Sequence, residues 1–582
     1  MFKLIKSLNK KDFFLVFISV LLIVLQVWLD LKLPDYMSEI TRLVQSETTT
    51  VSDIIIQGFY MLSCAFGSLI SAIIVGYLTS KLSATLSYKI RERLFNKVED
   101  FNMEEIKNFK TSSLITRTTN DITNIQMFIS MGLQMLIKAP ITAIWAILKI
   151  LNKNLEWSII TAIAVFILIL MVIVLMITVL PKFKAVQKLI DNINNIAREN
   201  LTGIRVIRAF NAEKFQTEKF KSANSELTNV QLFTQKMMSI ISPVMYLVMN
   251  MLTISIYFIG AYLIENALMA DKINLFSDMV VFSSYAMQVI MSFLMLAIIF
   301  IMYPRASVSA NRINVVLDTT ISIKDGKIDT ENNIKGEVEF KGVSFKYPDS
   351  EEYVIKDVSF KANKGETIAF IGSTGSGKST LINLIPRFYD ATEGEILIDK
   401  VNIKDYKLST LHKKIGYVSQ KAVLFKGSVN YNVGYGDDTC KENVKEAIKV
   451  AQASEFVEKM SDKYESVISQ GGTNISGGQK QRISIARAIA KNPEIYIFDD
   501  SFSALDYKTD YLLRKELSKY TKDSTIFIVA QRIGTIMNAD KIIVLDNGNV
   551  VGMGKHKELL NSCDVYKEIA YSQLSKEELE NA

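Results

Sequence analysis

A chain of 582 residues with 49% hydrophobic side chains and a mean hydropathy of +0.20 is too apolar for an ordinary soluble protein, and the apolar residues crowd into its first half. The net charge of +7 comes without any basic cluster interleaved with aromatics, which argues against nucleic acid as a partner. Cys64, Cys440 and Cys563 are too scattered to form a disulfide framework or a metal cluster.

Six apolar stretches come first in chain order, each near the roughly 20 residues that cross a bilayer as helix. They are residues 13–33, 54–79, 125–148, 158–180, 238–264 and 279–303. No small-residue cleavage site follows the first, so it is expected to be retained rather than removed as a signal peptide. Lys3, Lys6, Lys10 and Lys11 precede it; Lys81, Lys89, Arg91 and Arg93 follow the second; Lys182, Lys184 and Lys188 follow the fourth; Arg305 and Arg312 follow the sixth. The positive-inside rule puts all of these ends, and both termini, in the cytoplasm.

Connections on the outer side are short, as at residues 152–157, whereas residues 80–124 and 181–237 form long, charged connections on the inner side. Both long connections keep helical apolar spacing, as at Ile204, Val206, Ile207, Phe210 and Phe215. They are predicted to be span helices extended into the cytoplasm, the second as an antiparallel pair reaching on the order of 35–40 Å at 1.5 Å per residue. Within the spans, Lys138 stands ahead of Pro140, and Asp30 lies near the outer end of the first span. An intramembrane charge is a functional candidate, or else a snorkelling or ion-paired one. Phe282, Met287, Met291, Phe293 and Met295 in the sixth span offer an adaptable surface for apolar ligands, or ordinary lipid and helix contacts.

The character changes after Arg312. Asp325-Gly326 and residues 331–333 mark a linker, giving a membrane domain 1–312, a linker 313–335, a second domain 336–575 and a tail 576–582. In the second domain β-rich runs at 338–340, 367–371, 396–398, 495–498, 525–529 and 541–545 alternate with helical ones, as in an α/β nucleotide-binding domain. Gly372-Ser373-Thr374-Gly375-Ser376-Gly377-Lys378-Ser379 sits between one of these runs and a helical stretch opening at Thr380. That is the strand, glycine loop and helix context of a P-loop, with Lys378 directed at phosphates and Ser379 at Mg²⁺.

Further segments narrow the reading. Ser476-Gly477-Gly478-Gln479 opens a helix; residues 495–499 form a hydrophobic strand ending in Asp499; Gln420 ends Tyr417-Val-Ser-Gln; Ser503-Ala-Leu-Asp506 follows; Tyr347 lies 25 residues before Gly372. In order and spacing this resembles the ATP-binding cassette (ABC) family, and with six spans on the same chain it resembles an exporter-type half-transporter. The resemblance implies a membrane α-helical domain fused to an α/β P-loop domain that binds ATP and Mg²⁺. It implies Tyr347 stacking on adenine, Ser379 and Gln420 in the Mg²⁺ shell, and Asp499 holding the ion through water. Ser476, Gly477, Gly478 and Gln479 are implied to meet the γ-phosphate on a partner's P-loop. Coupling helices are implied near residues 110–116 and 210–214.

Two positions depart from the family pattern. Asp500 stands where a glutamate normally activates water, and Gln531 where a switch histidine is usual. The two histidines, His412 and His556, lie elsewhere, and His556 matches a structural position. A shortened carboxylate and an uncharged amide weaken phosphoryl transfer while sparing binding. With the Ser476–Gln479 signature intact, the chain resembles the degenerate-site subunit of heterodimeric bacterial multidrug exporters. That implies a second half-transporter with true glutamate and histidine, a hydrophobic small-molecule cargo, and a multi-pass location in the bacterial plasma membrane. Other readings of the same layout are export of lipid or peptide, or an ATP-binding gate or sensor without transport.

Overall fold

The structure, a computed structural model, describes residues 2–5, 9–45, 50–151, 155–329, 335–436 and 438–574. The expected linker turn at 331–333, part of the 152–157 connection and the tail 576–582 lie outside them. The chain forms two compact units: Met1–Glu99 with Thr111–Thr319, and Asp100–Lys110 with Thr320–Ala582.

Among the described residues of the first unit, six helical segments are long and apolar enough to cross a membrane: Lys10–Gln45, Val51–Glu99, Thr111–Leu151, Leu155–Thr202, Glu213–Asn266 and Asp271–Asp318. Each expected span lies inside one of them. Their outward residues are apolar, with Phe166, Phe258 and Leu155 largely exposed, a surface suited to lipid rather than water. The polar backbone is closed within the helices, as a bilayer demands. Where helices meet, packing is tight. Trp157 and Phe282 are fully buried with ring centroids 5.3 Å apart. A Cβ on Gly260 would strike Met279 Sδ at 2.3 Å, so that close approach depends on the missing side chain.

The third segment is not uniform. A π-turn at Phe128–Gly132 separates Asn120–Met127 from Leu133–Leu151, which sequence periodicity does not disclose. Helices Leu155–Thr202 and Glu213–Ser239 run back to back with Lys219 bonded to Glu199 at 2.9 Å, the predicted antiparallel pair. The apolar spacing at its tip does not make a buried face, however. Ile207 is buried, while Ile204, Val206, Phe210 and Phe215 are exposed. The sixth helix continues past Arg312 to Asp318, because nothing breaks it before Thr319 turns extended. Asp30 and Lys138, read separately from sequence, form an ion pair of 3.1 Å.

Among its described residues the second unit holds two main sheets and one two-stranded pairing, Gly427–Ser428 with Val467–Ile468. A six-stranded sheet runs Asn549–Gly554, Lys541–Asp546, Thr367–Gly372, Thr525–Val529, Ile495–Asp499 and Ile415–Val418, parallel except for the first. Its central strands are buried on both faces, which is why they read as continuous apolar runs. An antiparallel sheet orders Ile355–Ala362, Val338–Phe345, Glu393–Ile398 and Val401–Asn402. One apolar core joins the two sheets through Phe340, Phe360, Phe370 and Phe527, and a second lies under helix Gly477–Ala490.

Asp100–Lys110 belongs to this unit although long membrane-type helices flank it in the chain. Its short helix Met103–Asn108 is fixed by buried Glu105, which accepts from Ser322 N at 2.7 Å and from Asn102 N at 2.8 Å. The first coupling helix was expected near residues 110–116. The segment that packs with the second unit ends at Lys110, and Thr111–Thr118 belongs to the first unit. The reason is Glu105, whose two hydrogen bonds anchor residues that composition alone marks only as polar.

Candidate nucleotide site

The P-loop leaves the C-terminal end of a central parallel strand, where the topology of an open α/β sheet places its ligand. Gly375 has φ +86° with open space around it, and Gly377 has φ +96° where a Cβ would meet Ile355 at 2.6 Å. Side chains are therefore excluded from the loop, and its backbone N–H groups form a cradle for an anion. Ser373, Thr374 and Gly375 are exposed at the rim, whereas Ser376, Gly377, Lys378 and Thr380 are buried. The Lys378 ammonium is bonded to Gly372 O at 2.9 Å and Ser373 O at 2.7 Å. Burial holds it below the usual lysine range, against the pull of Asp500 and Asp499.

Ser379 Oγ donates to Asp499 Oδ1 at 2.7 Å. Burial raises the Asp499 carboxyl above the ordinary range; the Ser379 bond opposes this, the Asp500 charge adds to it, and Lys378 offsets part. A hydroxyl beside a buried carboxylate that resists its own charge is an oxygen donor set a hard cation satisfies, so these residues fit Mg²⁺ on a nucleoside triphosphate. Gln420, implied for the Mg²⁺ shell, makes a different contact here. Its amide Nε2 donates to Asp500 Oδ2 at 3.1 Å, so in this geometry Gln420 braces the second aspartate.

Asp500 is the centre of a tighter arrangement than sequence spacing suggests. Gln531 Nε2 donates to the same Oδ2 at 2.8 Å, and Asp500 itself sits at φ +46° on the turn after the strand. Both departures from the family pattern thus touch one another, and one carboxylate oxygen is held by two neutral amides. Gln573 Nε2 in turn donates to Gln531 O at 2.7 Å.

Tyr347 stands beside the loop, its hydroxyl within 3.0 Å of Thr380 Oγ1 and its ring edge-to-face with Phe345 and Tyr389. Lys107 brings its ammonium 5.3 Å from that ring's centroid while pairing with Asp349 at 3.0 Å. Sequence reasoning missed Lys107, which is 242 positions from Asp349, and no local pattern marks it. Ser476 caps helix Gly477–Ala490, accepting from Gln479 N while Gln479 Oε1 accepts from Ser476 N at 2.9 Å. This capping box leaves the first turn's remaining N–H groups and the helix dipole directed outward. Asp506 likewise caps helix Tyr507–Tyr520 through Thr509 N.

Comparison with known proteins bears on the family and the fold. Residues 355–503 match the family described as ABC transporter, and residues 16–293 match the ABC transporter transmembrane region. An uncharacterized ABC transporter ATP-binding protein of Mycobacterium tuberculosis is 35% identical over 93% of this chain and 93% of its own. The ATP-dependent lipid A-core flippase of Pseudomonas aeruginosa is 31% identical over 83% of this chain and 79% of its own. The solved structure of a bacterial Atm1-family ABC exporter with ATP bound superimposes with a TM-score of 0.81, covering 95% of this chain and 97% of that one at 22% identity, a likeness of fold.

Proposed function

The chain belongs to the ABC transporter family as an ATPase-coupled exporter of half-transporter layout, and we propose that it works as the weakly hydrolysing half of a heterodimer that exports amphiphilic molecules, drugs among them. The observation that carries this reading is the Asp500–Gln531 contact. Water activation at a γ-phosphate needs a carboxylate that reaches the water and a switch residue that stabilises negative charge. Here the carboxylate is one methylene short and its free reach is restrained by Gln531 and Gln420, neither of which carries a proton or positive charge.

The binding machinery is separate from these two residues. Gly375, Gly377 and Lys378 would hold the phosphates, Ser379 and Asp499 would hold Mg²⁺, and Tyr347 would stack on the base. When bound, the ion would supply neutralisation of phosphate charge. The intact Ser476–Gln479 helix start serves the partner's site across a head-to-tail pair. This chain's own site then keeps ATP for longer, and hydrolysis at the partner's site resets the closed state. Differential affinity for the two states is what lets the cycle do work. The likeness to a lipid A-core flippase supports including lipid-like amphiphiles in the proposed cargo class. The positive-inside pattern supports a plasma-membrane location with the ATP-binding unit in the cytoplasm.

The test is co-purification with the half-transporter that assembles with it. Mutation of the partner's catalytic carboxylate should abolish substrate-stimulated ATPase, while Asp500→Asn should leave most of it. Brisk ATPase and transport by this chain as a homodimer would overturn the heterodimer reading.

A further inference from the structure

The first membrane helix carries Pro34, whose missing N–H leaves the carbonyl of Asp30, four residues back, without its helical donor. The sixth helix supplies one: Gln288 Nε2 donates to Asp30 O at 3.4 Å. The Asp30 carboxylate is engaged on both oxygens, by Ser68 Oγ of the second helix and by Lys138 Nζ of the third at 3.1 Å. Four helices therefore converge on one ion pair. At 1.5 Å per residue it lies about 27 Å along the first helix from Asp12, which pairs with Lys89 at the opposite end.

Two features distinguish this cluster from a sealed structural pair. The side chains of Asp30 and Lys138 remain 27% and 24% exposed. Gln288 Oε1, by contrast, is buried without a hydrogen-bond partner, an acceptor waiting for a donor. One turn along the sixth helix, on the same face as Gln288, Met291 is 43% exposed, an adaptable apolar surface beside the charges.

We propose that Asp30, Lys138 and Gln288 form a recognition site for the zwitterionic head group of an amphiphile. In an apolar setting each charge must stay paired. A ligand bearing one charge displaces one member of the pair and strands it. A ligand bearing an anionic and an ammonium group inserts between them, the anion going to Lys138 and the ammonium to Asp30, and no charge is left alone. The ammonium also supplies the donor that Gln288 Oε1 lacks, and the tail lies over Met291. The inference deepens the export reading by naming a head-group class, but its test is binding without nucleotide, so failed transport and failed recognition are told apart.

The purified chain in a non-ionic detergent is titrated with three probes carrying the same fluorescent short chain: a phosphatidylethanolamine, a phosphatidic acid and a primary alkylammonium. The zwitterion should bind at least about tenfold more tightly than either singly charged probe. Lys138→Met should lose that preference and favour the cation; Asp30→Asn should lose it and favour the anion. If both single variants misfold, the swapped pair Asp30→Lys with Lys138→Asp restores charge balance and should keep the zwitterion preference. Equal binding of the three probes by the unaltered protein overturns the proposal. So does an unchanged order of affinities in folded single variants, which would leave the pair a structural one.

Discussion

Replacing Asp500 by Glu together with Gln531 by His should raise the ATP turnover of the purified chain by one to two orders of magnitude. Reach sets the size of the effect. A catalytic group misplaced by about 1 Å costs roughly a hundredfold, or about 2.7 kcal/mol of barrier at 1.36 kcal/mol per decade. One added methylene recovers a displacement of that size. Asp500 Oδ2 is 2.8 Å from Gln531 Nε2, so the two positions share one hydrogen bond and their effects should not add. Contacting residues show coupling of about 0.5–3 kcal/mol, which here means that Asp500→Glu alone should gain less than its share while a neutral amide still restrains it. The imidazole supplies both the donor and, when protonated, the charge that glutamine lacks.

The assay is steady-state phosphate release for the four proteins of the cycle, with ATP affinity measured in parallel. Affinity should change by less than about twofold, because neither residue is among the P-loop groups that hold the phosphates. If the double variant turns over no faster, or if Asp500→Asn abolishes a brisk wild-type activity, then Asp500 is already a competent water activator and the weak-site argument fails.

Tyr347→Ala should weaken ATP binding by about tenfold or more, the loss of one aromatic–base stack of roughly 1–3 kcal/mol, whereas Tyr347→Trp should retain it, as read by nucleotide titration. Lys107→Ala should leave the ring in place but alter ATP affinity at low salt, the difference fading as ionic strength rises, since the ammonium lies over that ring in an exposed position. Lys414→Met should cost about 3–5 kcal/mol in denaturant unfolding of the ATP-binding unit, because Asp399 and Glu494, at 2.9 and 2.7 Å, would lose their shared buried cation. Burial holds the His412 imidazole below the ordinary histidine range, with the Pro386 carbonyl opposing and Lys491 assisting. The unfolded chain therefore binds the proton more readily, so His412 contributes stability present above about pH 6.5 and lost as pH falls below it. His412→Gln should flatten that part of the pH–stability profile.

The elements legible in sequence are those whose environment is uniform along their length. The strands at 495–499 and 525–529 are buried on both faces, so every residue is apolar and the run is unmistakable. Ile355–Ala362 escaped notice because it alternates, with Lys356, Asp357, Ser359 and Lys361 turned outward, a pattern that a polar loop also produces. Asn549–Gly554 is an edge strand with two glycines and partial burial, which blurs its period further. The membrane helices announce themselves by apolar length, but the π-turn at Phe128–Gly132 depends on how that helix packs on its neighbours and leaves no compositional mark.

The same distinction explains the site. Glycine, lysine and serine in the P-loop are fixed by local backbone geometry, so their spacing carries the information. The contact between Asp500 and Gln531 joins the ends of two adjacent parallel strands, Ile495–Asp499 and Thr525–Val529, paired from Thr525↔Ile495 to Val529↔Asp499. That register places any residue one step past Asp499 beside any residue two steps past Val529. Substitution at either position is therefore felt at the other, and a paired change from the family pattern at both is what such adjacency favours. Asp30 and Lys138 are the opposite case: no register links them, and only the convergence of four helices brings a carboxylate and an ammonium that sequence treats as two isolated oddities within 3.1 Å of each other.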